Sequence, residues 1–109
     1  MNEVEIFKLL SDENRFKIFT LLLFVELCIC DLEKFLNMKQ ANVSKHMMKF
    51  KKLNIVNTRK EAQWVYYCLS EEFIKKNYHL INFIKDKVLK NKEYCVLINS
   101  LNEKQNCKV

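Results

Sequence analysis

The sequence predicts a mainly helical α+β domain, about five helices with one two-stranded β-hairpin, on three observations. The 109 residues include no glycine and no proline, which favours helix and leaves the turns to Asn, Asp, Ser and Lys. Apolar sets such as Val43, Met47, Phe50 and Leu53 recur at helical spacing. The exception is a pair of runs, Ile55-Val56-Asn57-Thr58-Arg59 and Trp64-Val65-Tyr66-Tyr67-Cys68-Leu69. Rich in β-branched and aromatic side chains, they read as strands joined through Lys60-Glu61-Ala62-Gln63.

Taken in order, Asn2 caps a first helix to about Leu10, with Val4, Ile6, Phe7 and Leu10 apolar. Ser11-Asp12-Glu13-Asn14 opens a second, which carries Phe16, Ile18, Phe19, Leu22 and Leu23. It reads as buried all round, belongs at the centre of the core and should end near Glu26. Asp31 caps a short third helix, Leu32 to Leu36. Asn37-Met38-Lys39 is a turn, and Gln40 to Leu53 the fourth helix. Val43, Met47, Phe50 and Leu53 face its core side, while Asn42, Lys45, Lys49 and Lys52 lie opposite. Asn54 does the left-handed work of a C-terminal glycine. Ser70 caps one long last helix, in which Ile81, Ile84 and Val88 make a stripe that suits a dimer seam. Cys95 and Ile98 extend it if the helix runs past Asn91. Residues 1–101 should form one domain, and the polar segment 102–109 a frayed tail.

A short helix, a tight turn, a basic helix and a basic hairpin make a winged helix-turn-helix. The formal net charge of +6 suits a polyanion. More telling, Lys39, Lys45, Lys49, Lys51, Lys52, Arg59 and Lys60 fall in one stretch with no acidic residue. Gln40 and Asn42, in the first turns of the fourth helix, are placed to meet base edges, where amides pair with adenine. Lys39, Lys49, Arg59 and Lys60 should hold phosphates. No acid–base pair and no phosphate loop argue for an enzyme. No apolar run is long enough to span a membrane, and the start lacks the form of a signal peptide, so a cytoplasmic protein is expected.

Five cysteines are an odd number, which argues against a disulfide framework. Two of them, Cys28 and Cys30, stand one residue apart just before the third helix. Cys-x-Cys is not the Cys-x-x-Cys of an oxidoreductase. Thiolates select soft ions, among them As(III), Sb(III), Cd(II), Pb(II), Cu(I) and Zn(II). Positions i and i+2 diverge on a regular helix, so these two share one ion only where the backbone is irregular or is distorted by binding. The helix N-terminus should favour thiolate through its dipole. Trivalent arsenic takes three thiolates, and Cys95 and Cys107 are candidates for the third, including from a second subunit. Cys68 reads as a packing residue.

The stretches Leu10-Ser11-Asp12-Glu13-Asn14-Arg15, Glu26-Leu27-Cys28-Ile29-Cys30-Asp31-Leu32, Gln40-Ala41-Asn42-Val43-Ser44-Lys45-His46-Met47 and Arg59 to Tyr67 together resemble the ArsR/SmtB metalloregulatory repressors. The resemblance runs from about Ile6 to Ser70. It implies a homodimer that represses a metal or metalloid resistance operon from an inverted-repeat operator and leaves DNA when the ion binds. It adds Ser44, Lys45 and His46 as DNA contacts and makes As(III) or Sb(III) the first-choice effector at Cys28 and Cys30. Cd(II), Pb(II), or oxidants and reactive sulfur at the same cysteines are the alternatives. Glu33 stands where arsenic sensors of this kind carry a third cysteine. Glu71, Phe73, Ile84 and Lys87 occupy the positions of the zinc sensors' last-helix ligands and do not form that site. Ala62 stands at the wing tip where a glycine is common.

Overall fold

The computed structural model describes residues 2–101. Among the described residues, seven helices and three strands follow the order α1 (Glu3–Leu10), α2 (Glu13–Leu22), β1 (Leu27–Cys28), α3 (Ile29–Leu36), α4 (Gln40–Lys52), β2 (Val56–Glu61), β3 (Trp64–Leu69), α5 (Glu71–Lys76), α6 (Tyr78–Leu89) and α7 (Lys92–Asn99). The candidate ligand Cys107 and the segment 102–109 lie outside the described residues.

The caps read from the sequence hold for the first two helices. Asn2 accepts the amide of Glu5 at 2.9 Å while Glu5 accepts that of Asn2, so both orphan donors are satisfied. Asp12 accepts the amide of Arg15 at 3.0 Å and starts α2. Phe19, fully buried on α2, stacks on Phe50 of α4 and meets Phe73 of α5 edge-on, so α2 is the pillar of the core. It ends at Leu22, earlier than the expected Glu26, because the chain turns there to feed β1.

The sheet has three strands rather than two. β1 pairs antiparallel with β3, Leu27 opposite Tyr67 and Cys28 opposite Tyr66, in the order β1-β3-β2. The wing is β2 and β3, closed by the two-residue turn Ala62-Gln63 between the paired Glu61 and Trp64. Three left-handed residues do what glycine would do elsewhere: Asn37 after α3 (φ 52°), Asn54 after α4 (φ 58°) and Ala62 at the wing tip (φ 54°).

The expected single last helix is three. Asn77 breaks it first, its side-chain amide donating to the carbonyl of Phe73 at 3.0 Å. Asn91 breaks it again and caps α7 by accepting the amide of Tyr94 at 3.2 Å. The stripe Ile81, Ile84 and Val88 is buried in the chain's own core instead of facing a partner. Apolar side chains left in solvent lie elsewhere: Val4 and Phe7 on α1, and Tyr78, Phe83 and Leu89 on α6.

Candidate metal site and nucleic-acid interface

The two thiols meet because the backbone between them is not regular helix. Cys28 is extended (φ −90°, ψ 169°) as the last residue of β1 and the N-cap of α3, and Cys30 lies in the first helical turn. Their Sγ atoms are 2.6 Å apart, and both cysteines are free. Asp31, expected as the N-cap, is instead the third helical residue. It folds back to accept the backbone N–H of Cys28 at 3.0 Å and the Cys28 thiol at 3.1 Å. One donor atom each from Cys28, Cys30 and Asp31 lie within 4.8 Å of one another. Asp31 was not read from the sequence as a candidate donor because an acid at the start of a helix reads as capping.

The expected dipole-stabilised thiolate is not what surrounds Cys28. Burial, then the contacting Cys30 thiol and the Asp31 side chain, push the Cys28 thiol up to about 12. An incoming soft ion must therefore displace its proton. Cys30 is exposed. A cavity of about 410 Å³ opens over the pair, lined by Cys28, Ile29, Cys30, Glu33, Gln40, Gln63, Trp64 and Val65. Gln40 begins α4, and Gln63 and Trp64 form the wing tip, so the thiols border both parts of the proposed reader.

Cys95 is not in this group. It lies half-buried on α7, its thiol donating to the carbonyl of Leu89 at 3.1 Å. Cys68 is half-buried on β3.

On α4, Val43, Met47 and Phe50 are buried, as their spacing predicts. Gln40, Asn42, Lys45 and Lys49 are exposed, and Ser44 and His46 half-exposed, on one continuous helix, with the exposed Lys39 as its N-cap. Asn42, Lys45, His46, Met48, Lys49 and Lys52 line a surface hollow of about 640 Å³. Lys60 is exposed on the wing. Arg59 is exposed too but engaged: its guanidinium donates to Glu26 and to Glu61, the latter at 2.8 Å, and lies 4.6 Å from the ring centre of Tyr66. Sequence reasoning also missed Arg15, whose Nη1 stands 3.4 Å from Nδ1 of His46. Burial holds the His46 imidazole below the usual histidine range, with help from the charges of Arg15 and Lys49 and against that of Asp12.

A helix-turn-helix, a basic second helix and a wing define a winged-helix regulator rather than an enzyme. Comparison with known proteins agrees. Residues 12–58 match the family described as bacterial regulatory protein, arsR family. The chain is 40% identical over 77 residues to a cadmium resistance transcriptional regulatory protein CadC homolog of Staphylococcus aureus, covering 70% of this chain and 64% of that protein. It is 38% identical over 68 residues to the arsenical resistance operon repressor of Escherichia coli K12, covering 62% and 58%. The chain thus spans about three-fifths of the length of these two relatives. Among solved structures, HlyU from Vibrio cholerae superposes with a TM-score of 0.63 at 34% identity, over 73% of this chain and 88% of that one. The protein belongs to the arsR family.

Proposed function

We propose that this chain acts in the cytoplasm as a homodimeric repressor of a metal or metalloid resistance operon, and that As(III) or Sb(III) at Cys28 and Cys30 releases it from an inverted-repeat operator. The observation that carries the reading is the donor set itself. Two thiols and a carboxylate converge within 4.8 Å where β1 turns into α3, and their cavity is shared with Gln40 and Trp64. Soft ions prefer such sulfur-rich sets. Gln40, Asn42, Ser44, Lys45 and His46 read the DNA, with Lys39, Lys49 and Lys60 on phosphates. Arg59 joins them where Glu26 and Glu61 release it. The exposed Val4 and Phe7 of α1 and Phe83 and Leu89 of α6 supply apolar surface for the seam. Cys95 or Cys107, from either subunit, supplies a third thiolate.

A second reading keeps the reader and changes the ion. A set of two thiols and the Asp31 carboxylate accommodates Cd(II) or Pb(II) more readily than As(III), which takes three thiolates, and the matched CadC homolog is named for cadmium resistance. A third, thiol oxidation, draws on the 2.6 Å separation of the two Sγ atoms.

Fluorescence anisotropy on the chain's own promoter DNA tests this, with arsenite titrated in under reducing conditions. Arsenite should release the wild type but not Cys28→Ser or Cys30→Ser. Release by Cd(II) alone selects the second reading, and release only by oxidants the third. No DNA binding at low salt refutes the repressor.

A further inference from the structure

We propose that Arg15 is a positioning residue for the reading helix: it fixes His46 as the neutral Nε2–H tautomer, so that the ring presents one hydrogen-bond donor to an acceptor on DNA. The proposal rests on the DNA-binding reading above.

Three elements meet at this guanidinium. Its Nε donates to the carbonyl of Leu9 at 2.7 Å and its Nη2 to that of Lys8 at 3.5 Å, both at the end of α1. Its backbone amide is held by Asp12 at the start of α2. That leaves Nη1, which reaches across to Nδ1 of His46 on α4. The arginine is thus clamped by two helices before it touches the third.

The tautomer follows from the donor inventory. A guanidinium carries N–H donors and no acceptor. Its hydrogen bond to Nδ1 therefore needs a bare lone pair there, and the ring's one proton must sit on Nε2. The imidazolium form would set a donor and a positive charge against another cation. The opposite edge of the ring then carries a single, directional donor beside Asn42, Lys45 and Lys49, with which His46 lines the hollow on α4. Lys45 and Lys49 offer mobile charge. His46 so held offers geometry, suited to a base acceptor such as guanine O6 or N7, adenine N7 or thymine O4, or to a phosphate oxygen.

Long-range ¹H–¹⁵N spectra of the full chain report the tautomer directly, and His79→Gln assigns the two histidines. Wild type should show Nε2–H at His46 near neutral pH, and Arg15→Met a mixture. Arg15→Met and His46→Ala should each weaken operator binding about fivefold, and together by no more than either alone. The salt slope should stay unchanged, because a neutral donor releases no counterion. Relaxed preference at one base pair would mark a base acceptor, and uniform weakening a phosphate. An Nδ1–H tautomer or an imidazolium in wild type overturns the proposal. So does weaker binding in Arg15→Met with the tautomer unmoved, or a slope reduced by about one per protomer, which would make Arg15 a phosphate contact. Should Arg15→Met fail to fold, His46→Gln keeps a neutral donor and should retain binding that His46→Ala loses; equal losses overturn the proposal. An Nε2–H tautomer in a wild type that ignores DNA refutes the repressor reading instead.

Discussion

Replacing Ala62 by glycine should stabilise the protein. Ala62 is the first residue of the two-residue wing turn and has φ 54°. A two-residue hairpin with positive φ at that position is the kind that favours glycine there. The Cβ of an L-residue in left-handed conformation costs about 1–2 kcal/mol, which glycine avoids. Glycine gives back about 0.5–1 kcal/mol through the extra freedom of the unfolded chain. The net gain is about 0.5–1 kcal/mol, or about 2–4 °C in melting temperature for a domain of this size. Asn37→Gly and Asn54→Gly are internal controls, at φ 52° and 58°. Asparagine already tolerates that region, so both should gain less. Ala62→Val should lose stability, because a β-branched residue tolerates positive φ least. Thermal melts followed by circular dichroism, at one fixed protein concentration, decide it. An unchanged or lower melting temperature for Ala62→Gly, or equal gains at the two asparagines, refutes the reasoning.

Three further outcomes are expected. Asp12→Ala removes the α2 cap and should cost about 1 kcal/mol near neutral pH. The amide of Arg15 holds the Asp12 carboxyl below its ordinary 3.8; a depressed folded value means that the stability is present above the unfolded value and lost as pH falls through the folded one. Urea titrations should accordingly show the wild-type advantage shrinking as the pH is taken below 3.8. Glu26→Gln loosens one of the two carboxylate holds on Arg59; DNA affinity should rise at low salt and the salt slope steepen by up to about 0.9 for each phosphate gained, and an unchanged slope would show Arg59 still withheld. Trp64 is the chain's one tryptophan and lines the thiol cavity; ion binding should change its emission in wild type but not in Cys28→Ser, and an identical response in both would place the ion elsewhere.

What could be read in advance was what repeats locally. The core side of α4 was legible from Val43, Met47 and Phe50, and α2 from Phe16, Ile18, Phe19 and Leu22. The caps at Asn2, Asp12 and Ser70 were legible because capping is a matter of three neighbouring residues. β1 was not, because two residues set no period. Neither were the breaks at Asn77 and Asn91, since a chain without glycine or proline lacks the usual punctuation and asparagine also sits inside helices. The stripe on α6 was seen, but which side of a helix meets the core and which meets water depends on what packs beside it. The thiols were legible as a pair. The nearness of Asp31 depends on where α3 starts, and that of Arg15 to His46 on how three helices dock, which no local pattern encodes.

The central place of β3 has a further consequence. Its residues Tyr66 and Tyr67 pair on one side with Arg59 and Thr58 and on the other with Cys28 and Leu27. The wing is therefore no free flap; its middle strand is stitched to the thiol-bearing one. Opening β1 from β3 releases the second edge of the sheet at the base of the wing, so amide exchange at Leu27, Cys28, Tyr66 and Tyr67 should slow or quicken in concert. An ion clasped at Cys28 and Cys30 would register as protection at Tyr66 and Tyr67, across the ladder from the thiol-bearing strand.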